Sequence, residues 1–128
     1  MLRCALLAAA VACTVLATPA AAQAPRNFPA TALRGELVVT APPEVLLNKR
    51  PARLAPGARI RGADNMLVMS GAAVNQRLLV HYTLDLQGQM LDVWVLTPAE
   101  AARKPWPVSP QEAAGWRFDP SSQTWSRP

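Results

Sequence analysis

Between Arg77 and Thr97 the sequence holds two runs rich in β-branched and aromatic residues, Arg77–Asp85 and Met90–Thr97, around the polar tip Leu86-Gln87-Gly88-Gln89. Two such runs about a Gly-containing tip predict a hairpin. The hairpin constrains the rest of the chain, because a slip of one residue carries every side chain to the opposite face. With Gln87-Gly88 as the loop, Leu84 faces Leu91, Tyr82 faces Val93 and Val80 faces Val95, so one face is wholly apolar. The other face pairs Thr83 with Asp92 and His81 with Trp94. A one-residue slip sets Tyr82 opposite Asp92 and mixes the faces, so burial selects the first register.

Upstream, short β-prone runs alternate with Gly, Pro and Asn. Gly35–Ala41 reads as a strand closed by Pro42-Pro43, and Glu44–Leu47 as the next. Asn48-Lys49-Arg50-Pro51 is a predicted turn, since Asn tolerates left-handed backbone. Ala52–Leu54 resumes, Ala55-Pro56-Gly57 turns again, and Ala58–Arg61 and Met66–Met69 follow as strands. Strands at short intervals predict an all-β fold: a small antiparallel five- to six-stranded barrel, which removes the open edges of a sheet this small. After Thr97 the character changes. Thr97-Pro98-Ala99-Glu100 and Ser109-Pro110-Gln111-Glu112 each place a hydroxyl cap, a Pro and a Glu at helix-starting positions. Each predicts a short helical turn, the first reaching about Arg103 and the second stopping at Gly115. A second, smaller hairpin is expected from Trp116 to Trp125, with Asp119-Pro120-Ser121 as its turn.

The amino terminus predicts export. Met1-Leu2-Arg3 is a short basic region, residues 4–16 are almost wholly apolar, and Ala20-Ala21-Ala22 supplies a cleavage pattern before Gln23. The apolar run is shorter than the roughly 20 residues that span a bilayer. Ala10-Val11-Ala12-Cys13 offers the alternative of a lipidated Cys13, although a larger aliphatic residue is expected where Ala10 stands. The resulting division is a signal peptide over 1–22, a flexible lead-in over 23–33, a β-barrel domain over 34–97 and a Pro/Trp-rich extension over 98–128 that packs on the barrel. The expected location is the periplasm. Cleavage leaves about 106 residues, enough for one small domain, and removes Cys4 and Cys13, the only cysteines. The mature chain then has no thiol, disulfide or Cys-based metal site despite an oxidising destination. Its stability has to come from packing, and its net charge of about +4 favours weak attraction to anions.

Gly35-Glu36-Leu37-Val38-Val39, Val45-x-Leu47-Asn48, Leu54-x-Pro56-Gly57-Ala58-x-Ile60 and the hairpin with Gly88 together resemble small exported β-barrel domains of unknown function in proteobacteria, OB-like or SH3-like in outline. The resemblance spans about residues 35–97 and implies a fold and no activity. Separately, Phe118-Asp119-Pro120-Ser121-Ser122-Gln123-Thr124-Trp125-Ser126 resembles the hairpin of a kelch propeller blade. The chain has no second copy of it, so it implies a shared turn and nothing about function.

The residue inventory argues against catalysis. His81 is the only histidine, Asp92 is the only acid that the register brings near it, and no nucleophile on an elbow-like turn accompanies them. The remaining acids are scattered singly, so no carboxylate pair is expected, and no cofactor. Met66, Met69, Met90 and His81 suit copper by ligand type. Met66 and Met69, however, point to opposite faces if their segment is a strand, and packing is the simpler role. The sharper candidate is polyanion binding by Lys49, Arg50, Arg53, Arg59 and Arg61, which fall in thirteen residues without an acid. Arg53, Arg59 and Arg61 are expected on one face, and OB-type barrels use one face for polymers. The expected ligands are nucleic acid, glycans or lipid phosphates; the segment lacks the aromatic platforms usual in a nucleic-acid groove, which favours the latter two, and the alternative is a solvated edge with no ligand. In the extension, Trp106, Trp116, Phe118 and Trp125 form either an exposed patch for an envelope partner or a lid on the barrel.

Overall fold

A computed structural model describes residues 26–128. The predicted signal peptide and the alternative lipidation at Cys13 lie outside the described residues. The hairpin expected between Arg77 and Thr97 is present as β5 (Arg77–Leu84) and β6 (Met90–Val95). Its register is the expected one at Val80–Val95, His81–Trp94 and Tyr82–Val93, then shifts so that Leu84 meets Met90 instead of Leu91. Two side chains account for the shift. Asp85 Oδ1 accepts from the amides of Gln87 and Gln89, which tightens the tip, and Thr83 Oγ1 accepts from the Asp92 amide where the ladder is broken.

The other strands are β1 (Leu33–Ala41), β2 (Glu44–Leu47), β3 (Arg50–Arg61) and the short β4 (Leu67–Val68). They join the hairpin in the order β2-β1-β5-β6-β3-β4, and a further β2–β3 pairing closes five of them into a ring that is not a regular barrel. The expected all-antiparallel arrangement is corrected here, because β3 and β6 run parallel. The reason is arithmetic: strand direction cannot alternate all the way around a ring with an odd number of members. β2 and β5 both run against β1, so their partners β3 and β6 share its direction and meet in parallel.

The predicted turn at Ala55-Pro56-Gly57 is also absent. β3 passes through it as one strand that changes partner, from β2 up to Arg53 to β6 from Leu54 onward. Leu54 and Ala55 are both buried, which breaks the two-residue alternation, and Gly57 takes a φ of 77°, open to Gly at little cost. Asn48 and Lys49, both at positive φ, make the two-residue turn between β2 and β3. Gly35 marks the tightest approach inside the ring: a Cβ there would sit 2.9 Å from Leu47 Cδ1 and 3.1 Å from Tyr82 Cε1.

Two clusters fill the molecule. Inside the ring, Leu33, Leu37, Val39, Val45, Leu54, Ile60, Val80, Tyr82, Met90 and Val93 form an aliphatic core with one tyrosine. On the outside of β5 and β6, Phe28, Ala32, Trp106 and Trp125 form a second cluster, with Trp94, Trp116 and Phe118 against it. The extension supplies most of that layer. It folds as α1 (Pro98–Ala101), α2 (Pro110–Gly115) and the hairpin β7 (Arg117–Asp119) and β8 (Thr124–Ser126). Thr97 and Glu100 complete the reciprocal capping box, and Ser109 caps α2. Asp119 organises the last turn by accepting from Ser121 and Ser122. Residues 26–32 are not a flexible lead-in. Phe28 and Ala32 are buried, and the Phe28 amide donates to Gln123 Oε1 at 2.7 Å. The segment shows no periodicity, and the side chains of Arg26 and Phe28 are held by residues far along the chain. Among the described residues no helix is long and apolar enough to cross a membrane.

Candidate functional site

The expected cationic strip is divided by the fold. Lys49 and Arg50 sit exposed at the tip of the β2–β3 hairpin. Arg53, also exposed, lies opposite Glu44 with 3.6 Å between guanidinium and carboxylate. Arg59 and Arg61 lie beyond the partner change, next to Asp92 of β6, and Arg61 is 3.8 Å from that carboxylate. The segment therefore acquires acids after all, from β2 and from β6. The common face expected for Arg53, Arg59 and Arg61 required an unbroken alternation, and β3 loses it at Leu54–Ala55. Lys49, Arg50 and Arg59 have no carboxylate within ion-pair distance among the described residues, and residues 1–25 contain no Asp or Glu.

The four aromatics of the extension do come together, and inward. Trp106 and Trp125 are buried, while Trp116 and Phe118 are half-buried against them. Trp106 stacks on His81 with ring centres 4.1 Å apart, and Phe28 meets the same imidazole edge-on at 4.4 Å. Trp106 Nε1 donates to the Ala32 carbonyl at 3.0 Å, and the Arg34 amide donates to the Pro107 carbonyl at 2.9 Å. The extension is thus a layer laid over the outer face of the sheet, with Trp106 at its centre. Met66 and Met69 are exposed beside β4, Met90 is in the ring core and His81 is under Trp106, so the thioethers and the imidazole do not converge.

Beneath the extension lies a polar cluster that the sequence did not single out. Across four strands the pairing runs Arg34–His81–Trp94–Arg61. Arg34 is 8% exposed, and its Nε donates to His81 Nε2 at 3.2 Å. Its other two nitrogens donate to the carbonyls of Ala101 and Glu100, at the carboxyl end of α1. Arg26 reaches in from the first described residue to Glu100 (Nε to Oε2, 2.9 Å) and to the carbonyls of Gly62 and Val95. Burial alone would raise the Glu100 carboxyl, but hydrogen bonds from Arg26 and Thr97 outweigh it and hold the group below the usual carboxylate range. His81 is fully buried. Burial, and then the positive charges of Arg34, Arg26 and Arg103, push it down to about 3, so it is neutral at physiological pH. His81 Nδ1, Arg103 Nη1 and Trp125 Nε1 are buried without a hydrogen-bond partner among the described residues. The contacts made by Arg26 and Arg34 span 36 to 74 residues of sequence, so no local pattern announces them.

A cleft of about 480 Å³ opens beside this cluster, lined by Arg34, Lys104, Pro105, Trp106 and Arg127. Its lining has three cations and no acid. Such a site can hold an anion by charge and by directed N–H groups. Its lining has no Ser, Thr or Cys, and the nearby imidazole is already bonded to Arg34. No protein family, curated protein or solved structure matches this chain.

Proposed function

We propose that this chain is an exported, non-enzymatic β-barrel protein with a binding or structural role in the periplasm or cell envelope. The supporting observation is the use made of His81, the one side chain suited to acid–base work near neutral pH. It is packed between the edge-on Phe28 ring and the stacked Trp106 ring, bonded to Arg34 and held neutral, so it serves as a packing element under the extension. The strand ring, with its second and third strands joined by a basic turn, supports an OB-like reading, in which that side of the barrel meets extended ligands. The apolar leader and the A-x-A pattern before Gln23 support export.

A second reading, binding of anionic polymers through Lys49–Arg61, is favoured by the exposed and unpaired state of Lys49, Arg50 and Arg59. Anionic glycans or lipid phosphates fit it better than nucleic acid, since the segment offers no aromatic stacking platform. Chromatography on heparin tests it. We expect retention at moderate salt, lost in a Lys49/Arg50/Arg59→Ala variant. Passage of the unaltered chain through the column unretained would remove the polymer reading and leave the structural one.

A further inference from the structure

Three guanidinium groups, those of Arg34, Arg26 and Arg103, bear on His81, and the one carboxylate in that cluster, Glu100, is engaged by Arg26. Arg34 is therefore a nearly buried charge whose bonded partners are two backbone carbonyls and an imidazole. Those acceptors satisfy its N–H groups in part and do not neutralise it; three of its five N–H donors are used. A charge withdrawn from water without an opposite charge is expensive, and proteins rarely retain one unless something neutralises it. No carboxylate is available from the rest of the chain, because residues 1–25 contain none and no ion pair to Arg34 exists among the described residues.

Arg34 also lines the open cleft, where Lys104 and Arg127 join it from two separate segments of the extension. Both are exposed, and Arg127 is braced over the Trp116 ring with 5.1 Å to its centre. We propose that this cleft binds a phosphate monoester dianion, with Arg34 at its base and Lys104 and Arg127 at its rim. Three cations call for a dianion more than for a single carboxylate, and a guanidinium with free N–H groups suits phosphoryl oxygens. The cleft is open to solvent on one side, so the esterified group of such a ligand can lie beside Pro105 and Trp106 or extend outward. The site is separate from the β2–β3 hairpin and does not depend on the polymer reading.

The test is titration calorimetry of the purified chain with inorganic phosphate and with glycerol 3-phosphate, at constant ionic strength against chloride, with tryptophan fluorescence as a second signal. A parallel arm uses vesicles of phosphatidic acid in neutral lipid, whose headgroup is the same monoester. Saturable binding is expected, weakened about tenfold or more in Lys104→Ala/Arg127→Ala. It should change less than about twofold in Arg50→Ala/Arg53→Ala, a tenfold change being worth about 1.4 kcal/mol. Binding to vesicles without binding to the soluble esters, with the same dependence on Lys104 and Arg127, supports the site and assigns its phosphate to a lipid. If the rim variant loses its fold by circular dichroism, the single charge reversals Lys104→Glu and Arg127→Glu replace it. No saturable signal with any of the three phosphates, or equal affinity in the rim variants, overturns the proposal.

Discussion

Two rows of residues cross the same strands one position apart, and they are stabilised by different means. The inner row, Leu33–Tyr82–Val93–Ile60–Val68, faces the interior of the ring and is apolar but for the Tyr82 hydroxyl, which donates to the Val108 carbonyl. The outer row, Arg34–His81–Trp94–Arg61–Leu67, contains two arginines and an imidazole. Apart from that hydroxyl the inner row needs only neighbours, since apolar surface is stabilised simply by leaving water. The outer row needs directed partners for its buried N–H groups: the extension brings carbonyls at the end of α1 to Arg34 and lays the Trp106 ring over His81, whose Nδ1 stays without a partner among the described residues. Alternation along a strand thus decides which residues face outward and leaves open what covers them.

The sharpest way to break this contrast is to remove the cover. Truncation after Lys104 deletes Trp106, Trp116, Phe118 and Trp125 and keeps all six strands of the main sheet, taking from the inner cluster only Ala113 and the Val108 carbonyl that accepts from Tyr82. Each buried Trp alone is worth about 3–5 kcal/mol, against a total stability of about 5–15 kcal/mol for a domain. The melting temperature should therefore fall by roughly 20 °C or more, if the shortened chain folds at all. A fall of only a few degrees would show that the ring stands alone and that the extension is an appendage.

A smaller effect comes from acid. The folded-state pKa of His81, about 3, lies below its ordinary value of about 6.5, so protons favour the unfolded chain. This contribution to stability is full above pH 6.5 and is lost progressively as pH falls toward 3, amounting to a few kcal/mol by order of magnitude. Glu100 acts lower on the scale: its stabilisation is present above the ordinary carboxylate range and is lost as pH falls through its depressed folded-state value. In His81→Gln, which keeps an acceptor for Arg34, denaturant midpoints should decline less between pH 6.5 and 4 than in the unaltered chain. Parallel declines would locate the acid sensitivity elsewhere. The smallest effect is expected from Thr97→Ala, which removes the cap of α1 and should cost about 1 kcal/mol. An unchanged urea midpoint would mean that packing alone holds α1 in place.

What was legible in the sequence follows the same division. The pairing of His81 with Trp94 and of Tyr82 with Val93 could be read because period two and a tight turn are local properties, and both helix caps could be read for the same reason. The shift at Thr83 escaped because it depends on a side chain replacing a ladder bond. Pro56-Gly57 looks like a turn, and only the ring reveals that β3 there exchanges one partner for another. The cationic strip read as free of acids because Glu44 and Asp92 reach it across strands, and the polar cluster went unseen because its members lie so far apart. Local chemistry is visible in one dimension; compensation for buried charge is a property of the folded whole.

The contacts made by Arg26 and Phe28 also impose an order of assembly. Arg26 binds Glu100, and the Phe28 amide binds Gln123, so the first described residues are completed by some of the last. On a chain that emerges amino end first, from a ribosome or across a membrane, β1 to β6 are all available to close the ring before Gln123 appears. The outer layer cannot close until then, and until it does the row from Arg34 to Trp94 stands open to water. In that interval the uncovered aromatic row is open to misassociation and to proteolysis, whatever the ring has done by then.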